Sequence, residues 1–145
     1  MKSFNTSYRS ICPFSSSLDI FGDKWTLIII RDILFFQKKT FKDFSSSREN
    51  IATNILSNRL SKLVHYNIVV KQKSDENRKT VIYKITDKGL KLLPILLEMT
   101  LWFCNHEEID NEAQFIREKL QEYTKDKDLF IKNFVNSYPK DLVAK

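Results

Sequence analysis

The chain has 145 residues, 42% hydrophobic and 29% charged, with two Gly, three Pro and two Cys, which suits one domain with a real core and excludes a disordered chain. No apolar run approaches the ~18 residues of a membrane-spanning helix, the N-terminal ten residues lack the apolar core of a signal peptide, and two cysteines cannot form a secreted disulfide framework. These exclusions predict a cytoplasmic protein with no membrane partner. Net charge is +6, unevenly spread: residues 1–91 carry 17 Lys+Arg against 8 Asp+Glu, and residues 92–145 carry 7 against 10. A basic body suits a polyanion, and a mildly acidic tail suits another task.

In chain order, Cys12-Pro13 opens the first ordered part. Phe14 to Phe21 reads as a short helix ended by Gly22, a residue suited to the C′ position. Asp23 caps a second helix, Lys24 to Phe36. There Trp25, Ile28, Ile29, Ile33 and Phe36 make a wide stripe that Leu27, Ile30 and Leu34 extend, as in a core helix. Thr40 or Phe41 starts a short third helix with Phe41 and Phe44 facing inward, and Ser45 to Asn50 is the turn after it. A fourth helix runs from Ala52 to Tyr66 with Ala52, Leu56, Leu60 and Leu63 on its buried face, and Asn67 ends it. Ile68–Lys73 and Thr80–Ile85, around the polar run Ser74–Lys79, read as a hairpin. Thr86 caps a long fifth helix to about Asn105, which Pro94 should bend. Leu93, Leu97, Leu101 and Cys104 form one stripe on it. Leu92, Leu96, Met99 and Phe103 form another, with Trp102 nearby, so one face should meet a second chain. The tail adds two amphipathic helices, striped by Ala113, Ile116, Leu120 and Tyr123 and by Phe130, Phe134 and Tyr138.

Four helices, a hairpin and a further helix give the order of a winged helix-turn-helix: mainly α with a small β-hairpin. Helix-turn-helix proteins lay the second helix of the pair in the major groove of DNA. The outer face of the fourth helix carries Thr53, Asn54, Ser57, Asn58, Ser61 and His65. Such side chains cost helix propensity, but Asn can pair with adenine, and Ser or Thr can bond to several base edges. Thr53, Asn54, Ser57 and Asn58 are therefore the expected base readers. Lys42, Arg59, Lys62, Lys71, Lys73, Arg78 and Lys79 are the expected phosphate contacts.

The chain resembles the HxlR family of bacterial winged-helix regulators, within the MarR-like group. The matching pieces are Cys12-Pro13, Leu18 to Ile29, Thr40 to Phe44, Ile51 to Leu60, Tyr83 to Gly89 and Leu92 to Leu96. The resemblance implies a homodimer on a palindromic or repeated double-stranded operator, with N-terminal and C-terminal dimerisation helices. It covers a winged helix-turn-helix domain with its dimerisation helix at 11–105 and says little about the tail, where a helical, dimer-associated extension is expected at 106–145. Leu93, Leu97, Leu101, Trp102 and Cys104 are the expected dimer contacts. The resemblance also implies a sensor role for Cys12 toward oxidants or electrophiles. A cysteine ahead of a helix N-terminus meets the positive helix end, which favours thiolate, and Arg9 or Lys24 could assist. The alternatives are a buried, inert cysteine, a regulator that answers a small molecule without cysteine chemistry, or a winged helix used as a protein–protein module. Cys104-x-His106 is too few ligands for zinc, and no catalytic constellation or phosphate loop is present. No enzyme, metal or cofactor is expected.

Overall fold

In the computed structural model, α1 spans Pro13–Phe21, α2 Lys24–Phe36, α3 Phe41–Ser45, α4 Thr53–His65, β1 Val69–Lys73 and β2 Val81–Ile85. Then come α5 (Asp87–Leu90), α6 (Leu93–His106), α7 (Gln114–Lys125) and α8 (Lys127–Ser137), with 3-10 turns at Asn111–Ala113 and Lys140–Leu142. The structure describes residues 7–145, so the start of the stretch read for a signal peptide lies outside the described residues. Two compact units form, one from Met1–Gly89 with Asp141–Lys145 and one from Leu90–Lys140. They divide the chain elsewhere than the 105/106 boundary expected from sequence. No described helix is long and apolar enough to cross a membrane.

In the first unit α2 supplies the core. Its buried residues include Thr26, Ile29, Ile30, Ile33 and Leu34, at i, i+3, i+4, i+7 and i+8, the stripe of a core-facing helix. The Asp23 carboxylate caps α2 by accepting from the Thr26 amide at 2.9 Å and from its hydroxyl at 2.7 Å. Gln37, at φ 52°, turns the chain out of it. Phe36, expected in the stripe, is exposed, because it is the last residue before that turn. Arg31 covers its ring instead, 5.6 Å from the centroid. Phe41 is also exposed while Phe44 is buried. The capping box of Thr40 and Asp43 sets that orientation of α3. Gly22 ends α1 at φ −75°, so its role is not a left-handed one. A Cβ there would stand 2.5 Å from the Leu18 carbonyl oxygen.

Leu56, Leu60 and Leu63 are the buried side of α4. Ala52, expected beside them, is the exposed N-cap. The helix closes with Asn67 at φ 55°. The Asn67 amide donates to Val64 and the Ile68 amide to Leu63, the paired bonds of a Schellman end. The hairpin follows in register, Val69 opposite Ile85 and Lys73 opposite Val81. The outer edge of β2 is occupied too. The Tyr83 amide donates to the Lys39 carbonyl, and the Ala144 amide to that of Ile85, both at 2.7 Å. Val143 makes a parallel bridge to Ile85. The last residues of the chain thus belong to the winged-helix unit.

The expected long fifth helix is two helices. Pro94 lies in the first turn of α6, where a missing N–H costs nothing, so it starts a helix rather than bending one. Leu93 and Leu97, expected at a dimer interface, are 0% and 6% exposed within the single chain, so neither is available to a partner. Leu101 and Cys104 are half-buried. The outward apolar residues of α6 are Ile95, Met99, Trp102 and Phe103. In the second unit the Tyr123 hydroxyl donates to Glu98 Oε1 at 2.7 Å. Burial and that carboxylate push the hydroxyl up to about 12. Lys127 completes the cluster on Glu98.

Candidate DNA-binding surface

The turn between α3 and α4 sets how α4 is presented. Asn50 takes φ 52° in it, a conformation that Asn tolerates better than most residues. A buried polar cluster fixes the turn to α2. Asp32 is fully buried. Its carboxylate accepts from Lys38 Nζ at 2.9 Å, from Arg31 Nη2 at 2.6 Å and from the Ser47 hydroxyl. Lys38 also donates to Ser47 Oγ at 3.0 Å. Beside it Arg31 makes a two-pronged pair with Glu49, at 2.6 and 3.0 Å. Those bonds hold the Glu49 carboxyl at about 2, against an ordinary 4.5, outweighing partial burial. Every buried side-chain N or O among the described residues has a partner. Sequence reasoning took Ser45–Ser47 for a plain turn and missed this cluster. The available signal was an acid, Asp32, inside the apolar run Leu27–Phe36.

On that support α4 exposes Thr53, Asn54 and Ser57, with Asn58 half-buried. Among the described residues, no hydrogen bond engages the side chain of Thr53, Asn54 or Ser57, although the Ser61 hydroxyl donates to the Ser57 carbonyl at 3.0 Å. Arg59 and Lys62, expected on phosphates, are turned to Asp23 instead. Arg59 Nε donates to Asp23 Oδ1 at 2.9 Å, and Lys62 Nζ lies 3.6 Å from Oδ2. Burial raises the Asp23 pKa, but the bonds from Thr26 and Arg59 prevail and hold it below its ordinary value. Arg59 Nη1 also donates to Asn58 Oδ1 at 2.5 Å.

The wing is the loop from Ser74 to Thr80, closed by amide-to-carbonyl bonds from Ser74 to Thr80 and from Thr80 to Asn77, both 2.8 Å. Lys71 and Lys73 alternate outward along β1, and Arg78 and Lys79 are exposed in the loop. Lys42 is exposed on α3. These five cations make no ion pair among the described residues. The arrangement offers neutral hydrogen-bonding groups at the start of α4 and unpaired cations on its flanks. That is the division between base reading and phosphate contact that DNA binding needs.

Cys12 is the N-cap of α1 with an exposed side chain. The two expected helper cations have contacts elsewhere: Arg9 pairs with Asp19 at 3.0 Å, and Lys24 lies 4.6 Å from the centroid of the Trp25 ring. No group of three or more His, Cys, Asp or Glu among the described residues could hold a metal ion.

Residues 20–111 match the family model described as HxlR-like helix-turn-helix. The HTH-type transcriptional regulator YodB of Bacillus subtilis is 32% identical over 100 residues, which span 66% of this chain and 88% of the relative. The oxidised form of the redox regulator HypR superposes with a TM-score of 0.59 at 28% identity, covering 68% of this chain and all of that one. The reduced form of YodB gives 0.55 at 28% identity over 67% and 95% of the two chains. Its quinone-bound form gives 0.52 at 27% over 65% and 99%. With this fold, this exposed polar face on α4 and a family match across more than half its length, the chain belongs to the HxlR-like helix-turn-helix family and is a DNA-binding transcriptional regulator.

Proposed function

We propose that the chain acts in the cytoplasm as a homodimeric repressor that reads a palindromic or repeated operator with two copies of α4 and answers oxidants or electrophiles through Cys12. The observation that carries the DNA-reading part is the contrast on α4 and the wing. Thr53, Asn54 and Ser57 are exposed and unengaged, while Lys71, Lys73, Arg78 and Lys79 present unpaired charge beside them. Asn58 completes the reading face. Lys42 and the wing cations supply most of the phosphate attraction. Arg59 and Lys62, already paired with Asp23, contribute less. Exposed apolar residues on α1 (Phe14, Leu18), with Ile11 just ahead of it, and on α6 (Ile95, Met99, Trp102, Phe103) support a dimer built from those two helices. Trp102 belongs to that face, with Leu101 and Cys104 at its margin.

The sensor reading rests on the exposed Cys12 side chain and on the likeness to a redox regulator and to a quinone-binding one. Covalent change at Cys12 Sγ would shift the balance between dimer geometries, and half-sites about one DNA turn apart tolerate few of them. The test is a binding titration against salt for the wild type and for Lys73→Ala with Arg78→Ala. The double variant binds all sequences more weakly, with a log–log salt slope shallower by about 2. An unchanged slope removes the wing from the DNA. In parallel, Cys12→Ser keeps DNA binding and loses release by a quinone or diamide. Release retained in that variant ends the sensor reading.

A further inference from the structure

Strand β2 is paired along both edges. On one side it lies in register against β1. On the other it meets two separate pieces of chain. The first is the lead into α3, where the Tyr83 amide donates to the Lys39 carbonyl at 2.7 Å and Thr40 bridges Ile82. The second is the far end of the chain, where the Ala144 amide donates to the Ile85 carbonyl at 2.7 Å and Val143 bridges Ile85 in parallel. Leu142 is buried there, Val143 and Ala144 are half-buried, and Ile85 is fully enclosed. The chain leaves the winged-helix unit after Gly89 and rejoins it at Asp141. Both crossings are tied to the same end of β2. On the way out, the Thr86 amide donates to the Ile68 carbonyl and the Gly89 amide to Thr86 Oγ1, both at 3.0 Å. On the way back, Ala144 bonds the residue just before Thr86.

We infer that residues 142–144 are a strap that clamps the base of the wing, so that the grip of the wing on DNA depends on the last residues of the chain. Along this edge, the bond to Lys39 alone would leave β2 a pivot. A second bond two residues further on, about 7 Å along the strand, fixes the direction in which the hairpin projects. Lys71, Lys73, Arg78 and Lys79 sit on that hairpin, so the strap sets where four cations without ion pairs among the described residues point. Val143 and Ala144 are then positioning residues for phosphate contact. One bridge and one backbone bond also make the strap a segment that opens at low cost. It therefore gives residues 90–140, held to β2 at both ends, a covalent route to the wing. This inference rests on the proposal that the wing contacts phosphates.

The test uses the full-length protein, a variant lacking residues 141–145, and Ala144→Pro, which removes the bonding N–H. The deletion takes away one acid, Asp141, and one base, Lys145, so it leaves net charge unchanged and any electrostatic effect on binding reports geometry. Each is titrated against salt with a random-sequence duplex, beside Lys73→Ala with Arg78→Ala. The strap variants should bind more weakly, with a log–log salt slope shallower by about 1 or more. Adding the deletion to the wing double variant should lower the slope by less than the sum of the two separate effects, because a misdirected wing has little grip left to lose. Slow hydrogen exchange at the Ala144 amide should show the strap closed in the wild type. Exchange there at the rate of an open chain overturns the inference, as does a wild-type slope in the folded strap variants or a fully additive combination. A slope that the wing double variant leaves unchanged takes the wing off the DNA and overturns the phosphate reading and the strap together. If the deletion does not fold, Ala144→Pro decides alone.

Discussion

Asp32 sits fully buried on α2, with Lys38, Arg31 and Ser47 arranged around its carboxylate. A buried charge is tolerated only with partners of this quality. Replacing it by Ala strands the Lys38 ammonium, whose side chain is mostly covered. Asp32→Ala should therefore lower unfolding stability by about 3 kcal/mol, read as a lower urea midpoint at unchanged slope. A shift below about 0.5 kcal/mol would mean that the cluster does not hold the helix pair. Glycine at 89 is fixed by a different constraint. A Cβ there would lie 2.4 Å from the Ile68 carbonyl oxygen and 2.5 Å from Ile85 Cδ1. The Gly89 amide donates to Thr86 Oγ1 at 3.0 Å, and that hydroxyl donates to Asn67 O. Gly89→Ala should cost about 1–3 kcal/mol through overpacking, with the melting temperature as the readout.

Among the elements, the α3–α4 turn contributes to the acid-range pH dependence, beside the likewise lowered Asp23 and Asp43. The Glu49 carboxyl is held at about 2 in the folded chain by Arg31, against 4.5 for the free group. Its folded value is depressed, so its contribution is complete above pH 4.5. It is lost as pH falls toward 2, where the unfolded chain takes up the proton first. Stability should drop through that window, and Glu49→Gln should flatten the drop. An unflattened curve would place the titration elsewhere. The elements also show what was legible in sequence. The end of α4 at Asn67, the hairpin and the Asp23 cap each follow from a local rule, and each stands where that rule puts it. Phe36 and Phe41 obey helical spacing yet face out, since a stripe says nothing about where its neighbours stop. Pro94 was ambiguous in the same way: it bends a helix from inside and begins one at the first turn, and only the turn before Leu93 decides. The pairing of Arg59 with Asp23 spans 36 positions, and no periodicity carries it.

At the scale of the whole molecule, the last five residues return to the winged-helix unit, with Leu142 buried and Val143–Ala144 against Ile85. Deleting Asp141–Lys145 should expose that edge of β2 and destabilise the unit by about 1–3 kcal/mol, from one buried Leu and one lost backbone bond. Unfolding followed at the hairpin would report it. The proposed dimer contacts separate by burial. Met99→Glu with Trp102→Glu should give a folded monomer in sedimentation, because both side chains are more than half exposed on α6. Leu93→Ala, at a position already enclosed, should cost stability by about 2–5 kcal/mol without changing assembly. A dimer that survives the double glutamate would place the interface on other helices.

The central claim is that the neutral polar face of α4 reads base identity. Its most direct measurement is the affinity of wild type and Asn54→Ala, at one fixed salt concentration, for a selected operator and for a scrambled duplex of equal length. Asn54→Ala should lose about tenfold or more on the operator and nothing on the scrambled duplex. Equal loss on both DNAs, or no loss on either, would contradict the claim.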